Sequence, residues 1–201
     1  MAHSPRDVDV SMLPEYAFGH KGLIWWGTAG YMVIEGSILL IGLITYYYLR
    51  LRSDLWPPGL PEPEPTVATI NMGLMIVSCV PAYLAKAAAE RYDGAGAKLW
   101  LVVLTLFGIA ATALRVWEFF FLNCRWDSNA YGSAVWFLMG LHTTHVVTDV
   151  ADGGVLAAVM FLDKTDKKRL IDVSENSFYW YFIVLWWVPY YLTVYWAPRW
   201  L

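Results

Sequence analysis

Apolar residues fall in five long blocks along the chain, each broken from the next by a short polar stretch. The blocks cover residues 23–49, 66–85, 99–122, 131–162 and 178–196. A helix rises about 1.5 Å per residue, so roughly 20 apolar residues cross a bilayer's hydrocarbon core. Each block therefore predicts a membrane-spanning helix. The first block is too long for the apolar core of a signal peptide, so it is expected to be retained. The predicted fold class is all-α, an integral membrane bundle of five transmembrane helices. Residues 1–22 form a polar N-terminal tail and residues 23–201 the transmembrane domain.

Composition agrees with the pattern. Hydrophobic residues make up 58% of the chain and charged residues 15%, against about 25% charged in soluble domains. Net charge is −3, so no basic field points to nucleic acid. The two cysteines, Cys79 and Cys124, sit in no CxxC or CxxCH motif. A zinc ribbon and a covalently attached haem have no support. The basic residues set the orientation. Arg6, Lys21, Lys86, Arg91, Lys98, Lys164, Lys167, Lys168 and Arg169 fall on one side, and Arg50, Arg52, Arg125 and Arg199 on the other. The positive-inside rule then predicts a cytoplasmic N-terminus and a C-terminus outside. The longest outer connection, WPPGLPEPEPT at 56–66, is too rich in proline for a helix.

Few ionisable groups interrupt the blocks. A charge at the bilayer centre costs about 2.5–3.5 kcal/mol on insertion scales, so such groups are expected to face protein and find partners. Glu35 lies in the first block. Arg115 and Glu118 lie three apart in the third and are predicted to pair structurally. The fourth carries His142, His145, Asp149 and Asp152 within GLHTTHVVTDVAD. At about 100° per residue these four fall within roughly 80° of one another. Glu35 and His142 lie roughly 18 Å and 16 Å from the starts of their blocks, so the two depths are similar. One of the two histidines is expected to reach Glu35.

Three readings of this stripe are open. His142 and His145, with Glu35, can share a metal ion. The stripe can relay protons, since histidines and carboxylates stacked toward the cytoplasm are what such a path needs. Or it is a structural seam that faces protein and holds no ion. One ion cannot touch all four residues, because they extend about 15 Å along the helix. No Gly-rich phosphate loop, nucleophile elbow or HExxH motif is present. No catalytic, cofactor-binding or metal-binding residue is assigned, and the chain is not expected to be an enzyme by itself. Beyond His142 and His145, the histidines His3 and His20 lie in the polar tail, too few for a haem-copper centre.

Motifs in these blocks resemble subunit III of the haem-copper respiratory oxidases, cytochrome c oxidase type. WWGTAGYMVIEGSILLIG is similar to that family's helix with a single buried glutamate, here Glu35. LWPPG, TINMGLMIVSC with Asn71, VWEFF with Glu118, and YGSAVWFLMGLHTTHV with His142 and His145 follow in the family's order. YWYFIVLWWVPYYLTVYW resembles its last helix, with Tyr181 and Val184 where His and Asp are usual. Asp149 replaces a usual glycine, and the likeness begins at the third helix of the seven-helix form, as in five-helix bacterial members. The resemblance implies an accessory subunit of a terminal oxidase in the bacterial cytoplasmic membrane. Such a subunit packs on catalytic subunit I, with subunit II and phospholipids as further partners, and supports stability and proton uptake. Haem and copper are then expected in the partners and none in this chain. The departures also suit a subunit III-like companion of a nitric oxide reductase. A membrane metal-binding or transport protein built on Glu35, His142 and His145 is the other alternative.

Overall fold

The computed structural model describes residues 17–162 and 165–200. Most of the 1–22 tail, with His3 and Arg6, lies outside the described residues, as do Lys164 and Leu201. A 3₁₀ turn at Gly19–Lys21 leads into five long helices: α1 (Leu23–Leu51), α2 (Thr66–Glu90), α3 (Gly94–Phe120), α4 (Ala130–Leu162) and α5 (Lys167–Tyr191). A wide π turn (Leu192–Trp196) and a short α6 (Ala197–Trp200) follow. The described residues are helical throughout, apart from turns and the linker.

Helices α1 to α4 are each long and apolar enough to cross a membrane. Their ends differ from the apolar blocks by several residues. The second block ends at 85 but α2 runs to Glu90, and the third begins at 99 but α3 starts at Gly94. Hydropathy stops where hydrocarbon stops, whereas a helix stops where its backbone is capped. Asp93 caps α3 by accepting from the Gly96 amide at 3.0 Å, and Asp166 caps α5 by accepting from the Arg169 amide at 3.0 Å. Tyr92, at φ 60°, makes the tight turn between α2 and α3.

Helix α5 departs furthest from its apolar block, which begins only at 178. Its first eleven residues include Lys167, Lys168, Arg169, Asp172, Glu175 and Asn176. It is nonetheless the most enclosed helix, packing against α1, α2, α3 and α4. Its polar groups are therefore held within the bundle, and Ser174, Glu175, Asn176 and Ser177 are buried. Helix α1 is the opposite case. It lies at the edge, touching α4 and α5, with no buried residue before Leu39.

Close approaches occur where a side chain would be in the way. A β-carbon at Gly42 would lie 3.0 Å from Leu138 and 3.2 Å from the Tyr190 hydroxyl, where α1 meets α4 and α5. One at Gly108 would collide with Val150 and stand 3.3 Å from the Trp180 ring. Around these contacts one apolar core gathers Leu39, Met75, Leu138, Trp180, Trp187 and Tyr190. A second, smaller core lies toward the α2–α3 and α4–α5 turns, with Ala85, Leu101, Met160 and Leu170. Lys86, Arg91, Lys98, Lys167, Lys168 and Arg169 flank those turns, so this is called the basic end and the opposite end the linker end.

The proline-rich linker is packed across the bundle. Trp56 stands edge-on between Tyr46 and Tyr131, at ring separations of 5.3 and 5.1 Å. Arg199 holds the linker from α6, reaching Glu62 at 3.2 Å and the Pro63 carbonyl at 2.8 Å. Trp56 covers Tyr46, which is buried rather than placed at the headgroups as tyrosine clusters at helix ends usually are. Cys124, in the α3–α4 connection, is buried beside this cluster, and burial pushes its thiol up to about 11. Both cysteines are free.

Candidate functional site

Glu35 sits near the middle of α1, on the side that meets α4 and α5. Its Oε1 lies 3.4 Å from Nε2 of His145, and both side chains are largely buried. The Tyr179 hydroxyl, from α5, donates to Glu35 Oε2. Three helices thus contribute one group each.

The tautomer of His145 follows from its other nitrogen. Nδ1 lies 2.6 Å from the Leu141 carbonyl oxygen. A carbonyl can only accept, so Nδ1 carries a proton. A hydrogen bond between His145 Nε2 and Glu35 Oε1 needs one further proton. That proton resides on His145 Nε2, giving an imidazolium facing a carboxylate, or on Glu35, giving a carboxyl facing a bare nitrogen. The pair is neutral in both forms, which is what an apolar setting favours.

His142 faces elsewhere. Its Nε2 donates to the Ile183 carbonyl at 3.1 Å, and its ring packs against Trp187 and Tyr190 at 5.0 and 6.2 Å. Its Nδ1 is buried without a hydrogen-bond partner. His142 is therefore a core residue, and the depth match drawn between it and Glu35 belongs instead to His145, one helical turn away.

Asp149 is buried and accepts from the Asn176 amide at 3.1 Å. Asp152 is exposed within this chain. It occupies the edge of the 80° arc, and the loosely packed first half of α1 leaves that edge uncovered. There a cleft of about 560 Å³ opens between α1, α4 and α5, lined by Asp149, Asp152, Asp172, Glu175, Asn176 and Tyr179 among others. Tyr179 is at once a wall of the cleft and a donor to Glu35, so the buried pair stands one side chain from the opening.

Arg115 and Glu118 form a second polar centre toward the linker end. Arg115 Nη1 lies 2.9 Å from Glu118 Oε2, with side chains only 2% and 3% exposed. The guanidinium stacks 3.5 Å from the centre of the Trp187 ring, and Nη1 lies 3.4 Å from Met139 sulfur. The Tyr195 hydroxyl donates to Glu118 Oε1. Trp187 and His142 separate this centre from Glu35 and His145.

Among the described residues, no group of three or more His, Cys, Asp or Glu side chains is placed to hold a metal ion. Four polar partners were not read from the sequence: Asn176, Tyr179, Glu175 and Tyr195. Asn176 and Tyr179 are three apart, so they share a face of α5, and that spacing was an available signal. Tyr195 lies in the π turn, whose register simple helical spacing does not give.

Tyr179→Phe provides a direct check on this geometry. It removes the hydroxyl that occupies Glu35 Oε2 and frees that oxygen for reaction. A hydrophobic carbodiimide should label Glu35 in the native chain and label it faster in the variant, as read by peptide mass. Unchanged labelling would show that Tyr179 does not hold the carboxyl.

No family model matches the chain. Over most of its length, however, it is similar to proteins that share one name. It is 27% identical over 198 residues to the cytochrome c oxidase subunit 3 of Synechocystis sp., spanning 94% of this chain and 83% of the relative. It is 25% identical to the probable cytochrome c oxidase subunit 3 of Nocardia farcinica, over 87% of this chain and 85% of that one. With the cytochrome c oxidase subunit 3 of Corynebacterium diphtheriae the identity is 26%, over 82% and 87% respectively.

Proposed function

From a chain that belongs to the cytochrome c oxidase subunit III family, we propose a non-catalytic subunit of a haem-copper terminal oxidase complex. The observation that carries this reading is the similarity along nearly the whole chain to proteins of that name. The chain resides in the bacterial cytoplasmic membrane and crosses it five times, with the basic end in the cytoplasm. The enclosed position of α5 supports a fifth span despite its polar start, and the distribution of lysine and arginine supports the orientation. Catalytic subunit I, subunit II and phospholipids are its neighbours.

Haem and copper belong to the partner subunits in this reading. The histidines described here support that division. His142 spends Nε2 on the Ile183 carbonyl and His145 spends Nδ1 on the Leu141 carbonyl. Both come from one face of one helix, so they cannot clasp a haem from opposite sides. His20 is on the 3₁₀ turn before α1.

The chain's own contribution is to support the catalytic subunit's stability and its proton uptake. Arg115, Glu118 and Tyr195 fasten α3 to the end of the chain and make a firm packing surface. Asp149, Tyr179, Glu35 and His145 succeed one another from the cleft inward, and each can hold or pass a proton. A complex purified without this chain should start reducing oxygen at near the normal rate and then lose activity progressively during turnover. Complete absence of electron transfer in a correctly assembled remainder would contradict the accessory role.

A further inference from the structure

Among the described residues, the lining of the cleft at the basic end sets four carboxyl groups against one cation, with Lys86 and Lys168 acting from outside it. Asp149, Asp152, Asp172 and Glu175 face one cation in its lining, Arg169. That guanidinium is already 3.4 Å from Asp172. Asp149 is answered by Asn176. Lys86, which acts on Glu175 from α2, lies 4.0 Å from Glu90 and over the Phe178 ring at 5.7 Å. Glu175 is only 6% exposed; Thr28 on α1 hydrogen-bonds to its carboxyl group, and its Oε2 is buried with no hydrogen-bond partner. Asp152, on α4, is exposed and lines the same cleft.

The surroundings restrict what completes the cleft. Its rim is apolar and open: Tyr31 on α1 is 52% exposed and Val155 on α4 is 64% exposed. The first half of α1 has no buried residue, so this wall keeps exposed apolar surface beside its contacts with α4 and α5. An occupant must therefore lay an apolar stem across the rim and bring a positive head to the carboxylates. A phospholipid fails the second requirement, because its phosphate would accompany any ammonium into an acidic cleft. Metal coordination fails because the carboxylates do not converge on one point among the described residues. A lysine side chain satisfies both: its methylene stem lies on apolar surface while its ammonium reaches polar groups. Asp152 and Glu175 project from two helices rather than forming a planar fork. That arrangement suits the three rotatable donors of an ammonium better than a guanidinium.

We propose that the cleft between α1, α4 and α5 receives a lysine side chain from a neighbouring subunit of the complex, held by Asp152 and Glu175. Docking of this kind ties α4 and α5 to a partner and covers the exposed rim beside the first half of α1. The inference rests on the chain being a subunit of an oxidase complex, and the test separates the two claims.

The whole complex, purified through a tag on this chain, is treated with a water-soluble carbodiimide, with and without added glycine ethyl ester. Capture of the haem-copper partner is read before the reagent is added, so a failure there is a failure of the subunit reading alone. With the partner present, peptide mapping should find an amide between Asp152 or Glu175 and a lysine of another subunit. The link should fall at least tenfold in the Asp152→Asn, Glu175→Gln double variant. Asp152→Asn alone, at an exposed position, removes one arm without disturbing the packing. Free modification of Asp152 and Glu175 by the ester in the intact complex would mean a water-filled cleft and overturn the proposal. So would a link to a lipid amine, or carboxylates that neither link nor react.

Discussion

Replacing Arg115 with leucine should destabilise the bundle by about 3–5 kcal/mol, because it leaves the buried partner charge of Glu118 uncompensated. Both side chains are nearly inaccessible and lie 2.9 Å apart. Water cannot replace the lost cation, and the Tyr195 hydroxyl supplies only a dipole. Removing the whole centre should cost far less. Arg115→Leu, Glu118→Leu and Tyr195→Phe together leave no buried charge and no orphaned hydroxyl. Apolar replacement of a complete buried ion pair is often neutral or stabilising. Unfolding of the purified chain in a denaturing detergent series measures both variants. A single variant as stable as the native chain, or a triple variant no better than the single, would show that the pair is not coupled.

Trp180→Ala should be the next most damaging change. Trp180 is fully enclosed, and its indole N–H donates to Ser78 Oγ at 2.7 Å, tying α5 to α2. Its ring also fills the space that Gly108 leaves on α3. Deleting a buried Trp costs about 3–5 kcal/mol in soluble cores. In a bilayer the transfer part weakens, since lipid is itself apolar, and lost packing remains. The expected cost is therefore about 3 kcal/mol, at the low end of that range. Trp180→Phe should cost much less, because it keeps most of the ring and Ser78 still donates to the Met75 carbonyl at 2.5 Å. The same unfolding series ranks the two. Equal losses would place the energy in the indole hydrogen bond rather than in packing.

Local periodicity carried the sequence reading a long way. Apolar blocks located α1 to α4, and the three-four-three spacing put His142, His145 and Asp149 on one buried face. Which histidine meets Glu35 was not legible, because it depends on how α1 and α4 are staggered. That stagger is set by contacts such as Gly42 against Leu138, between residues 96 positions apart. The start of α5 was hidden for a different reason. Lys167 to Ser177 read as polar connection, yet those residues continue a helix that other helices surround. Glu175, Asn176 and the first turn below Tyr179 were lost with it. Asp152 shows the converse limit. Periodicity gave its face, but its exposure follows from the loose packing of the first half of α1.

Membership of an oxidase complex is decided by what the chain brings with it from the membrane. The tagged chain is purified in a mild detergent from cells respiring oxygen, and the captured proteins are identified by mass and assayed for haem and copper. A haem-copper catalytic subunit should be recovered in fixed ratio to this chain, with both cofactors following that subunit and leaving the chain when the two are separated. Recovery of the chain alone, or with no haem-copper partner, from cells that contain the assembled oxidase would contradict it.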